Sequence, residues 1–342
     1  MMMKSEIMGQ PIEIATGPPL FHAWPKVVKH PERIEMIENE IAKLENPDQR
    51  LLNSCLYPKD SKSLASSSCV LLNFQLLHNC RHSPLPIDTP RMHLKGRVCS
   101  YMCRLLGYVS DSNTDFPTIV GPDFEEFVNL SKVHCDGWGI TDKSGEVFKE
   151  ATPAYSSSDF MDVLKKNRTD GSLLHFRWAT SGLPVNKDNS HPFNFGKYSF
   201  IHNGSITPPN ALDQFIAPRY LKEAVGNTDS ERYFLLVVQK IEELGLVPGV
   251  KAAVKLIKDN ATFSSINAML MSPTKMIIIN EHDNAKRPDF GGEDYYDLHY
   301  REDDHGIVVG SSGWNQEGWH LIANHTLMII DRHDRSFETA KL

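Results

Sequence analysis

The sequence has no run approaching the roughly 20 apolar residues that a membrane-crossing helix needs. Its start, MMMKSEIMGQPIE, has no apolar core ahead of a secretory cleavage site. Positive charge is also scarce: 36 Lys and Arg stand against 43 Asp and Glu, a net charge of -7, which leaves no electrostatic footprint for a polyanion. Neither nucleic acid nor a membrane is expected as a partner. The six cysteines form no CxxC and no Cys/His zinc spacing. A disulfide framework would be unusual in a cytoplasmic chain of this size, so each cysteine reads first as a buried or free thiol. There is no GxGxxG fingerprint and no P-loop, and His299 and His305 lie in the acidic stretch GGEDYYDLHYREDDH without HExxH or a comparable ligand spacing. No cofactor and no metal are expected, and the acidic stretch reads as a solvated loop.

What is present divides near residue 102. Of the 342 residues, 40% are hydrophobic and 23% charged, a globular balance. Before residue 102 the one regular element is a helix over Ile34, Ile37, Ile41 and Leu44, which recur at helical spacing. From Ser54 to Tyr101, short apolar runs are broken by Ser, Pro and His with no period, and poor order is expected there. Beyond Met102 the text becomes strands and helices. CRLLGYV suits a buried strand, and further strands are expected over 138–141, 172–180, 197–202, 264–271, 275–280, 306–310 and 326–331. Thr228-Asp229-Ser230-Glu231 has the spacing of a capping box opening a helix through FLLVVQKIEEL, and a second helix is expected over 249–258. Grouped strands and grouped helices point to an α+β layered domain.

Four segments place small, polar and charged residues at strand ends: MCRLLGY from Met102, HFRWATSG from His175, HNGS from His202 and NTDSE from Asn227. Singly each has a bland reading. Asn203-Gly204 suits a hairpin turn, Arg177 a buried ion pair, Asp229 an acidic helix start, and Cys103 a core filler. In this order and spacing, with HCDGWGI, NSHPF and NTDSERYF beside them, they resemble the class II glutamine amidotransferases of the N-terminal-nucleophile hydrolase superfamily. The likeness is strongest to the compact stand-alone branch, which includes ergothioneine-pathway amidohydrolases.

The resemblance implies a four-layer αββα sandwich over residues 102–342. It also implies cleavage of the γ-amide of glutamine or a γ-glutamyl compound through a Cys103 thioester. With Met102 removed, Cys103 would carry both its thiol and a free α-amine. That amine titrates near 7.7 to 8.0, close enough to neutrality to serve as the base, and no catalytic histidine is then needed. By the same resemblance Asn203 and Gly204 would form the oxyanion hole, and Arg177 and Asp229 would hold the substrate α-carboxylate and α-ammonium. Trp178 and Thr180 would line the same loop. Ser181 stands where many synthase-linked members have histidine, and GIVVGSSGW follows the corresponding strand only loosely. No synthase domain is expected within the sequence, so the chain reads either as a self-sufficient hydrolase or as a glutaminase working with a separate acceptor subunit.

As written, the Cys103 nitrogen is an amide and cannot accept a proton. Three readings stay open for residues 1–101: an extension ahead of a true start at Met102, a propeptide, or an N-terminal domain on a chain that binds γ-glutamyl groups without turning them over.

Overall fold

The structure, a computed structural model, describes residues 103–342 apart from 142–144, 181 and 289–291. The helix expected over Ile34–Leu44 and the irregular stretch through Tyr101 lie outside the described residues, as does Ser181. In chain order the first strands are β1 (Arg104–Thr114), β2 (Trp138–Thr141), β3 (Val147–Glu150), β4 (Thr169–Phe176), β5 (Phe193–Phe195), β6 (Tyr198–Thr207) and β7 (Thr262–Met271). They are followed by β8 (Lys275–Asn280), β9 (Leu298–Asp303), β10 (Gly306–Ser311), β11 (His320–Ile322), β12 (Thr326–Asp331) and β13 (Phe337–Lys341). The helices are α1 (Phe116–Val120), α2 (Phe124–Asn129), α3 (Phe160–Lys166), α4 (Pro218–Leu221), α5 (Asp229–Leu244) and α6 (Leu246–Asn260).

The strands make two antiparallel sheets, a seven-stranded one ordered β11-β9-β10-β1-β4-β2-β3 and a six-stranded one ordered β13-β12-β8-β7-β6-β5. Strand alternation sorts the side chains into layers. On β1, Leu105 and Val109 join Leu173, Ile201, Met269 and Ile278 in a cluster between the sheets. Leu106 and Tyr108 point the other way, onto Phe116, Phe127 and Phe160 of the short helices. On the far side α5 and α6 cover the second sheet, with Phe234, Val238 and Val254 against Phe200, Leu270 and Ile277. Each such fully buried apolar side chain contributes about 1.5 to 3 kcal/mol. The result is the αββα sandwich, and the described segment carries its own core.

Gly107 lets the two sheets approach: a Cβ there would lie 3.0 Å from Leu173 Cδ2 and 3.0 Å from Met269 Sδ. Four sequence expectations need correction. Asn203-Gly204 is not a turn but the middle of β6, paired with Asn267 and Ile266 of β7. The strand from Ser172 stops at Phe176, which leaves Arg177 to Thr180 as a loop at its end. The acidic stretch is not a solvated loop: Tyr295 and Tyr296 are buried and Leu298–Asp303 is paired to β10. In the expected capping box, Thr228 accepts the Glu231 amide at 3.1 Å, but Glu231 reaches past the cap to the amides of Val225 and Gly226, both at 2.9 Å.

Candidate active site

The same alternation that builds the core aims the chemistry. Cys103 precedes β1 on the face of Leu105, Arg177 follows β4 on the face of Leu173, and Asn203 shares the face of Ile201 on β6. All three therefore turn toward the layer between the sheets. There a small, partly open cleft is lined by Cys103, Arg177, Trp178, Thr180, Gly204 and Asp229, among others. Of the sequence-chosen residues only Asn203 is not at its wall; it lies fully buried, next to Gly204.

Cys103 is held by the loop that ends β4. The Trp178 amide donates to Sγ at 3.5 Å, and Sγ faces the Trp178 carbonyl at 3.6 Å. Burial pushes the thiol up to about 11; the Trp178 hydrogen bond and the Arg177 charge act against this, while Asp136 and Asp229 add to it. The resting group is thus a neutral thiol, which needs a base at the moment of attack.

Arg177 is buried, and Nη2 donates to the Pro184 carbonyl at 3.1 Å. Its Nη1 is buried with no hydrogen-bond partner among the described residues. Burial lowers its pKa, opposed by the fields of Cys103 and Asp136, but an arginine stays charged. Asp229 opens α5, where its carboxylate sits in the first helical turn and accepts the Ile206 amide at 2.6 Å. Both amide atoms of Asn203 are buried without a partner among the described residues. Gly204, with φ of 156°, has its Cα against the β7 backbone, so that a Cβ would overlap the Ser265 carbonyl.

Three histidines line the back of this arrangement. The His175 and His191 rings lie 4.1 Å apart, and His202 bonds Ser230 at 2.9 Å. Burial is the first cause that lowers all three, His175 to about 3 and His191 well below the ordinary value, so they are neutral at physiological pH. Among the described residues none of the three hydrogen-bonds Sγ.

Four residues at the site make contacts that the sequence does not reveal. Asp136 accepts the Ala179 amide at 2.7 Å and its own amide bonds the Arg177 carbonyl at 3.0 Å. Asn189 donates to the Pro184 carbonyl at 3.2 Å and accepts the Asn227 amide at 3.0 Å, tying the Arg177 loop to the start of α5. His191 lines the cleft, and Arg104 bonds the Cys103 carbonyl. HCDGWGI, NSHPF and MCR contain these residues, so the motifs were visible although the contacts were not.

The family model described as glutamine amidotransferases class-II matches residues 102–272. The chain belongs to the class II glutamine amidotransferases. Among curated relatives it is 28% identical over 147 residues to "Probable glutamine amidotransferase DUG3" of Saccharomyces cerevisiae, covering 38% of this chain and 41% of that one. It is 25% identical over 116 residues to the gamma-glutamyl-hercynylcysteine sulfoxide hydrolase of Mycobacterium tuberculosis, covering 31% of this chain and 50% of that one. These matches span half or less of those relatives. Among solved structures, the allosteric regulatory enzyme of purine biosynthesis matches with a TM-score of 0.51 and 18% identity over 70% of this chain and 49% of that one, a likeness of fold. The sandwich is that of the N-terminal-nucleophile hydrolases.

Proposed function

We propose that the chain hydrolyses the γ-amide of glutamine or of a γ-glutamyl compound, with Cys103 as nucleophile and its α-amine as base once Met102 is removed. The observation that carries this is one cleft holding a neutral thiol, a buried guanidinium with an unpartnered Nη1, and a carboxylate at a helix start. Those are the groups a substrate with a free α-amino-acid end requires. Arg177 receives the α-carboxylate through charge-assisted bonds, and Asp229 the α-ammonium. Trp178 and Thr180 bound the cleft beside them.

The thiol adds to the amide carbon while its proton passes to the α-amine. The tetrahedral oxyanion is met by the Asn203 side-chain amide and the Gly204 N–H. The α-ammonium then protonates the departing nitrogen, leaving a Cys103 thioester. Water, deprotonated by the same amine, cleaves the thioester and releases glutamate. The released nitrogen goes to solvent or to a separate acceptor subunit. The names of the two curated relatives, an amidotransferase and a γ-glutamyl hydrolase, support both substrate classes.

A chain begun at Met102 and freed of that methionine is expected to release glutamate from glutamine or γ-glutamyl amides. Cys103→Ala is expected to abolish release with an unchanged thermal melt. Binding of substrate without any product by the chain that begins at Cys103 would sink the hydrolase reading. The peptide bond from Met102 to Cys103 favours a second reading for the unprocessed chain, a γ-glutamyl-binding subunit that keeps the clamp without the base. Intact mass from the native source separates the two: a mass beginning at Cys103 supports the enzyme, one beginning at Met1 the binding subunit.

A further inference from the structure

Arg104 is the first residue of β1 and is 6% exposed. Its Nη1 donates to the Cys103 carbonyl at 3.1 Å, and its guanidinium carbon lies 4.9 Å from the centre of the Tyr295 ring. Its Nε is buried without a hydrogen-bond partner, and no salt bridge joins it to a carboxylate among the described residues; burial lowers its pKa, opposed first by the field and side-chain hydrogen bond of Tyr295 and then by Cys103 and Asp294. A buried cation lacking a paired anion is costly and persists only where something else depends on it. Tyr295 supports the charged guanidinium with its ring face and a side-chain hydrogen bond, but it is no carboxylate, and the cation stays without a salt-bridge partner among the described residues.

What depends on it is Cys103. The carbonyl it grips belongs to the residue that carries both nucleophile and base, so the grip sets the direction in which the Cys103 nitrogen and sulfur leave β1. By standard backbone dimensions the guanidinium is then roughly 6 to 7 Å from that nitrogen. We propose that Arg104 is a positioning residue for the nucleophile, clamping the Cys103 carbonyl and keeping the Cys103 α-amine in its proton-accepting form. This rests on the hydrolase reading above, in which that amine is free.

The other charges facing Cys103 do not substitute for it. Asp136, before β2, and Asp229, on α5, favour an ammonium, while Arg177, after β4, opposes one. His175 and His191, and His202 on β6, are neutral. In the proposed substrate complex Arg177 and Asp229 are neutralised by the substrate's own carboxylate and ammonium. Asp136 and Arg104 remain, and Asp136 already accepts the Ala179 amide. An α-amine at its ordinary 7.7 to 8.0 would be mostly protonated at pH 7. A unit charge at that range, in the effective dielectric of a protein, moves it down by about one to two pH units.

The test uses the enzyme with Cys103 at its terminus, following kcat, which reports the substrate complex, and kcat/KM, which reports the free enzyme, for glutamate release from about pH 5.5 to 9.5. Arg104→Met is expected to move the acid limb up by about one unit, with roughly tenfold lost at pH 6.5 and most of it regained by pH 9. Arg104→Lys is expected to keep the limb in place. A loss in Arg104→Met that is equal at every pH, or no loss, overturns the proposal. A second measurement needs neither turnover nor a folded variant: nitrogen-15 titration of the Cys103 amine in the wild-type protein. A midpoint below about 7 supports the proposal, and one at the ordinary 7.7 to 8.0 or above overturns it. If the wild type releases no glutamate, the hydrolase reading fails, and the titration still decides whether the amine is held unprotonated.

Discussion

Asn203 has a buried primary amide with no partner on either atom among the described residues, and each such group costs about 1 to 3 kcal/mol when left unsatisfied. A side chain kept for packing would not carry that cost; one kept for a charge that appears only during reaction would. Asn203→Ala is therefore expected to slow turnover by about 100- to 1,000-fold, the loss of one oxyanion donor, while leaving the denaturation midpoint equal to or above that of the wild type. Normal turnover with lowered stability would return Asn203 to a structural role. The three histidines give a second expectation. Their folded pKa values lie below 6.5, so above pH 6.5 both folded and unfolded states hold them neutral and nothing changes. Below 6.5 the unfolded chain takes up protons that the fold refuses, and stability falls by up to about 1.4 kcal/mol per pH unit for each ring. For His175 the fall continues toward its folded value of about 3. Urea midpoints that stay level between pH 7 and pH 5 would contradict this. Cys103, Arg177 and Asp229, which line one cleft, were singled out in the sequence by the order and spacing of their motifs, not by any one residue. The contacts of Asn189 and His191 were not, because they reach Asn227 and His175 outside their own motif, and that of Arg104 was not, because its grip on the neighbouring Cys103 carbonyl depends on how β1 begins.

Among the elements, β6 shows where local reading misleads. Asn-Gly is a turn pair by its own conformational preference, yet pairing with Asn267 and Ile266 of β7 holds it extended. Tertiary pairing overrides the dipeptide, and the register shifts just after it, between Gly204 and Ile206. Gly204→Ala is expected to unfold the protein or lower its stability by more than about 3 kcal/mol, since the new Cβ would overlap the Ser265 carbonyl at a backbone φ that favours glycine. A thermal melt within a few degrees of the wild type would refute it. The long helices α5 and α6 were readable from their period. The short α1, α2 and α3, with 5, 6 and 7 residues, are too brief to show one. Strands β5, β11 and β13 lie at sheet edges, where one-sided pairing relaxes the apolar alternation that marks a strand.

For the molecule as a whole, the two sheets meet over an apolar layer whose open end is the cleft, so the clamp and the nucleophile are fixed by different parts of the fold. Arg177 is set by β4 and the Pro184 loop, and Asp229 by the cap of α5. Neither depends on the charge state of the Cys103 nitrogen. Binding and chemistry are therefore expected to separate. While the peptide bond from Met102 is intact, that nitrogen has no basic lone pair, and the thiol, pushed up to about 11 by burial, has no base to take its proton. The full chain is expected to bind glutamine or a γ-glutamyl amide by calorimetry yet release no glutamate. Once the chain begins at Cys103, the affinity is expected to change by less than about tenfold while turnover appears. Full turnover by a chain whose mass still includes Met1 would show that some other group takes the thiol proton.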